Sequence, residues 1–315
     1  MLGALPPVFA GLQPQDAQEA AGFLQGVTLG AGELLMEQGE QDLTLAFIDR
    51  GAVQLLDGEV QIGSVGAREM IGEIELFGQM PRVATAIASG EVQLSVLDYE
   101  HYVELCNRGN PAVYNLERHS MRRISDRLRW LDEGILDRSQ GVAFELHTRS
   151  QGLLSRLFGG GVPRVDAVQV LASSPLFSWA DIQINQALAS EFQVAKFPQG
   201  HVLCQQGALA EEMFLIVSGR VDVVLLTSER TAEMVATLGP GQACGEPSMA
   251  QHTPRSATYV CREEVIALTL DLSRFGQLFA IDDPLGSTFR QGMLRNMIAL
   301  ELATQRRFVE VESRR

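Results

Sequence analysis

Two stretches of this 315-residue chain carry the residue types that would hold a sugar with a phosphate on it. The first runs Gly72-Glu73-Ile74-Glu75-Leu76-Phe77-Gly78-Gln79-Met80-Pro81-Arg82-Val83-Ala84-Thr85. The second runs Gly245-Glu246-Pro247-Ser248-Met249-Ala250-Gln251-His252-Thr253-Pro254-Arg255-Ser256-Ala257-Thr258. In each, Gly-Glu comes first and Pro-Arg-x-Ala-Thr follows, with the Arg nine residues after the Glu. The Gly lets the backbone come close to a ligand. A short helical turn after it aims free N–H groups at one spot, which favours an anion. The returning Arg forks onto phosphate oxygens. The carboxylate accepts from a hydroxyl.

These stretches belong to an internal repeat that organises the chain. Gly39 and Gly51 recur as Gly207 and Gly219, an offset of 168, whereas Glu73 and Arg82 recur as Glu246 and Arg255, an offset of 173. The difference fits a longer hairpin around Thr227–Thr231 in the second copy, an insertion of the kind that exposed turns tolerate. Asp98 and Asp271 keep the larger offset.

Short apolar runs broken by turn residues predict strands at Val27–Leu29, Leu34–Met36, Leu43–Ile48, Val53–Leu56, Val60–Val65, Ala84–Ala88 and Val92–Leu97. The second copy predicts Val194–Phe197, Val202–Cys204, Met213–Val217, Val221–Leu226, Met234–Leu238, Thr258–Val260 and Val265–Leu270. Strands this short with frequent turns read as an antiparallel barrel or sandwich. Phe9–Leu24 reads as a leading helix, and Ser174-Pro175 as the opening of its counterpart. Pro111 starts a long helix to about residue 137, with Tyr114, Met121, Ile124, Leu128, Leu131 and Ile135 on one seam and Glu117 interrupting it. A linker with Gly159-Gly160-Gly161 follows, and Asp283-Pro284 starts a closing helix. The expected division is 1–110, 111–165, 166–282 and 283–315.

Composition narrows the classes. The net charge of −14 argues against non-specific nucleic-acid binding, and an anionic ligand must find its positive charge locally. The apolar fraction is 46%, with no run long enough to span a bilayer and no secretory start. The four cysteines and five histidines lack metal spacing. No catalytic motif occurs, so the expectation is a cytoplasmic, non-enzymatic protein without metal or cofactor.

The two stretches resemble the phosphate-binding cassette of the cyclic nucleotide-binding domain family, and the resemblance covers most of both halves. It implies a mainly β fold: two double-stranded β-helix (jelly-roll) barrels, each followed by an α-helical segment. It places the ligand at Gly72, Glu73, Ile74, Glu75, Arg82, Val83 and Ala84, and at Gly245, Glu246, Ser248, Arg255, Ser256 and Ala257. Arg82 and Arg255 would meet the phosphate, and Glu73 and Glu246 the ribose 2′-hydroxyl. Three departures stand out: Glu75 replaces a small residue, Pro247 replaces an apolar one and has no N–H, and Ser256 adds a hydroxyl where the first copy has Val83. Base-facing positions of the long helix fall near Leu128 and Arg129, with Ser125 and Arg122 as nearby donors. The ligand expected is cAMP or cGMP, with a cyclic dinucleotide also open. In the catabolite-activator branch such a helix forms the dimer interface, so a homodimer through 111–137 is expected. No winged helix is encoded, which leaves a regulatory protein that signals to a protein partner. The alternative is a ligand-independent scaffold built from degenerate domains.

Overall fold

A computed structural model describes residues 5–138, 142–143, 163–227 and 231–313. The chain divides into two compact units, residues 1–120 and 121–315, each described by itself. The break falls inside the long helix rather than at its ends.

In the first unit a 3-10 turn at Pro7–Phe9 and helix α1 (Pro14–Gly22) precede the strands, so the leading segment is two short pieces instead of one helix. Pro14 at the first turn of α1 sets that restart. The strands are β1 (Gln25–Leu29), β2 (Leu34–Met36), β3 (Leu45–Arg50), β4 (Ala52–Asp57), β5 (Val60–Gly66), β6 (Met70–Ile71), β7 (Thr85–Ala88) and β8 (Val92–Leu97). They form two antiparallel sheets, β1-β8-β3-β6 and β2-β7-β4-β5. Inward side chains such as Phe47, Val53, Ile62, Leu94 and Leu97 form the core between them. Helix α2 (Glu73–Gly78) is the cassette helix. Helix α3 (Tyr99–Asn107), which the apolar runs did not announce, starts at Asp98, whose carboxylate accepts the His101 N–H.

The second unit repeats the plan. Its strands are β10 (Gln193–Phe197), β11 (Val202–Cys204), β12 (Glu212–Ser218), β13 (Val221–Leu226), β14 (Thr231–Leu238), β15 (Ala243–Cys244), β16 (Thr258–Cys261) and β17 (Val265–Asp271), with β9 at Val142–Ala143. The sheets run β10-β17-β12-β15 and β11-β16-β13-β14-β9. The four-strand order is that of the first unit, and even the register shifts recur: Ile48/Arg50 answers Ile216/Ser218, and Leu55/Leu56 answers Val223/Val224. Gly51 and Gly219 show why a Gly is needed at one such corner. Each has positive φ, and a Cβ would lie 2.4 Å from the Glu91 carbonyl or 2.3 Å from that of Glu264.

Ser174-Pro175 does not open a helix. It follows α5 (Ala167–Ser173), and the next helix, α6 (Ile182–Ala189), starts at the cap residue Asp181. After the strands come α7 (Glu246–Gln251), the second cassette helix, then α8 (Leu272–Ala280) and α9 (Pro284–Glu312). The predicted linker and the tip of the longer hairpin, residues 139–141, 144–162 and 228–230, lie outside the described residues.

The long helix, α4, spans Ala112–Arg138. Of its seam, Met121, Ile124, Leu128, Leu131 and Ile135 are buried within the chain, as is Glu117, and Tyr114 is half-buried. In the second unit α4 packs along α9. Trp130 lies against Phe308 with ring centroids 5.2 Å apart, and Arg127 pairs with Glu301 at 2.6 Å.

Candidate functional site

The two cassettes share a backbone frame. Gly72 and Gly245, with φ of 104° and 99°, turn the chain into α2 and α7. Gln79 and His252, with φ of 51° and 54°, end those helices. Each Arg is then clamped by main chain. Arg82 N–H donates to Glu40 at 2.8 Å and its carbonyl accepts from Gly39; Arg255 N–H donates to Ala208 at 2.9 Å and its carbonyl accepts from Gly207. These clamps explain the paired glycines of the repeat.

In the first cassette every sequence-predicted residue except Val83 is buried. The Arg82 guanidinium donates to the Thr44 carbonyl at 2.8 Å, to Asp42, and to Glu75 Oε2 at 3.3 Å. Glu75 Oε1 accepts the Val83 N–H at 3.0 Å. Burial pushes the Glu75 carboxyl up, against the pull of the Val83 N–H and the Arg82 charge. Burial also opposes ionisation of Asp42, but Thr44 and Arg82 together hold its carboxyl below the usual range. Ile74 and Ala84 pack in the core.

The second cassette differs in its charges. The Arg255 guanidinium donates to the carbonyls of Gly245 and Glu212. Among the described residues no carboxylate forms an ion pair with it. Ser248 donates to the Pro254 carbonyl at 3.3 Å. Gly245, Ser248, Arg255, Ser256 and Ala257 line a narrow cleft together with Pro247, Val223, Tyr259, Leu128, Asp132, Leu300 and Thr304.

Glu246 is not among the lining residues. It is fully buried and accepts from Asn296 of α9, whose amide also bonds both backbone groups of Ala243 at 2.8 and 2.9 Å. Burial pushes the Glu246 carboxyl up, against Asn296 and the Arg255 charge. Its second oxygen has no hydrogen-bond partner among the described residues.

Helix α4 lies over this cassette. Ser125 donates to the Pro247 carbonyl at 3.4 Å, Arg129 to Thr253 at 3.0 Å, and Gln251 to the Arg122 carbonyl at 2.7 Å. Of the positions expected to meet a base, Leu128 lines the cleft, while Arg122, Ser125 and Arg129 hold the cassette helix and its following loop. The polar group that α4 does bring to the cleft is Asp132, one turn beyond Leu128. Burial pushes its carboxyl up to about 7, opposed by the Ser256 hydroxyl and the Arg129 charge. Nothing local in the sequence marks Asp132. Its partner Ser256 is far along the chain.

Both cassettes thus stand at equivalent places in two equivalent antiparallel folds. Residues 27–108 and 194–282 match the cyclic nucleotide-binding domain family, and the chain belongs to it. A cAMP-dependent protein kinase regulatory subunit from Yarrowia lipolytica is 23% identical over 272 residues, covering 86% of this chain and 58% of that protein. A cyclic nucleotide-gated potassium channel from Rhizobium etli is 34% identical over 150 residues, covering 45% of this chain and 39% of the channel. The chain therefore spans less than two thirds of the length of either relative. Among solved structures, the regulatory subunit of a cAMP-independent protein kinase A from Trypanosoma brucei is similar, with 20% identity, TM-score 0.34, and coverage of 86% of this chain and 82% of that one. Among the described residues no group of His, Cys, Asp and Glu is arranged to hold a metal ion, and no helix is long and apolar enough to cross a membrane.

Proposed function

We propose that this protein is a non-enzymatic cyclic nucleotide sensor that passes ligand occupancy to a protein partner through α4 and α9. Arg255 carries this reading. It is a buried guanidinium, fixed by backbone carbonyls, without a paired carboxylate among the described residues, on the wall of a cleft. An anion entering there gains charge-assisted hydrogen bonds. Ser248 and Ser256 supply hydroxyls beside it, and Leu128, Val223, Tyr259 and Leu300 offer an apolar wall for a flat base. The lining residues contributed by α4 and α9 supply the output. A ligand in contact with them changes the free energy of helix packing by its differential affinity for the two arrangements. Cyclic AMP and cGMP are the first ligands to test, followed by cyclic di-GMP.

Calorimetry of the full chain with each nucleotide tests this. Binding that Arg255→Ala weakens by about 2–5 kcal/mol, the cost of removing a buried partner of a charge, is the expected result. Binding unaffected by Arg255→Ala would place the ligand elsewhere. Absence of heat with all three, together with no thermal shift, would turn the reading to the scaffold.

A further inference from the structure

By the two repeat offsets, Asp42, Thr44, Glu75 and Arg82 correspond to Ala210, Glu212, Ser248 and Arg255. The backbone half of the arrangement is kept, because each Arg donates to the carbonyl of Thr44 or of Glu212. The carboxylate half exists in the first copy alone. Glu75 turns inward and is only 4% exposed. Its two oxygens take the Val83 N–H and Arg82 Nη1 at 3.0 and 3.3 Å. A guanidinium and the N–H of the next residue are the donors an incoming phosphate needs.

We propose that Glu75 is the resident anion of the first cassette and excludes cyclic nucleotides from it, so that ligand binds at the second cassette alone. The proposal rests on the sensor reading above. A phosphate brought to Arg82 would meet a buried like charge and would have to displace a tethered competitor. Swinging Glu75 outward would unpair the Val83 N–H and one face of Arg82 together, and an unsatisfied buried donor is costly. The carboxylate nonetheless leaves part of the guanidinium unmet, since Arg82 Nε has no hydrogen-bond partner among the described residues. That edge becomes available to a phosphate once the Glu75 side chain is removed. Ser248 is short and neutral at the same place, and blocks nothing comparable.

The test is binding stoichiometry of the full chain with cAMP and cGMP. Wild type is expected to bind at one site, and Arg255→Ala to weaken that same site without revealing another. Glu75→Ala should bind at two, and Glu75→Ala/Arg255→Ala should keep at full strength the one that disappears when Arg82→Ala is added. The first-site affinity should rise by at least ~100-fold, about 2.7 kcal/mol. Glu75→Gln keeps the shape, removes the charge, and should gain the same site more weakly, which covers the case of an unfolded alanine variant. The proposal is overturned if Arg255→Ala keeps a site that Arg82→Ala abolishes. It is equally overturned if the Glu75 variants melt like wild type and gain no site. If wild type binds nothing but Glu75→Ala/Arg255→Ala binds, the sensor reading of the second cassette fails while the role of Glu75 stands.

Discussion

Replacing Asp132 by Asn should make the second unit more stable at pH 8 and leave it nearly unchanged at pH 4. The magnitude follows from where Asp132 sits. The side chain is buried beside Ser256, and its carboxyl is pushed from 3.8 up to about 7. That is about three pKa units, or about 4 kcal/mol at 1.36 kcal/mol each. Below pH ~4 the group is protonated in folded and unfolded chains alike and contributes no pH dependence. Between pH ~4 and 7 the unfolded chain releases the proton and the folded one keeps it, so stability falls as pH rises. Above about 7 both states are ionised and the loss is complete. Asn does not ionise, so the gap between variant and wild type should open over this window and stay flat beyond it. Urea unfolding from pH 4 to 8 measures the gap, and tryptophan fluorescence reports on the right unit, because Trp130 and Trp179 both lie in residues 121–315. The Ser256 hydrogen bond favours the ionised carboxyl and is already contained in the net upward shift, so its loss does not reverse the trend. A gap constant within ~1 kcal/mol across the range would refute the buried-acid assignment.

Two further outcomes concern packing around the second cleft. Asn296→Ala leaves both backbone groups of Ala243 and the Glu246 carboxyl without their partner, so unfolding stability should fall by about 3 kcal/mol or more; an unchanged urea midpoint would show that the network bears no weight. Gly134→Ala would set a Cβ 2.6 Å from the buried Phe308 ring, and the variant should lose about 1–3 kcal/mol despite the better helix propensity of Ala. A rise in melting temperature would contradict the close approach of α4 and α9.

The strands and cassettes were legible because their signals are local: turn glycines, short apolar runs and a spaced Glu–Arg pair. The paired offsets even located the longer hairpin. Two-residue strands such as Met70–Ile71 and Ala243–Cys244 escaped, since so short a run has no periodicity to detect. Tyr99–Asn107 and Leu272–Ala280 escaped, although Asp98 and Asp271 keep the repeat offset. The aspartates turn out to be helix caps. The apolar spacing of α4 states that a face is buried and not by what; part of that face packs along α9. Glu75 departs from the cassette pattern by residue type alone, and the inward turn of its carboxylate is set by Val83 and Arg82. Glu246 and Asp132 were beyond reach. The first is drawn off by Asn296, some fifty residues later, and the second enters the cleft from a helix that precedes the whole second set of strands.

The carbonyls of Gly245 and Glu212 hold Arg255 in place before any ligand arrives. A free Arg side chain loses up to ~2 kcal/mol of rotamer entropy when it is immobilised. Here that ordering accompanies folding, so capture of an anion needs no search by the side chain. Ligands that share the phosphate and differ in the base should then associate at similar rates. What distinguishes them should be residence time, set by the contacts the base makes with Leu128 of α4 and Leu300 of α9.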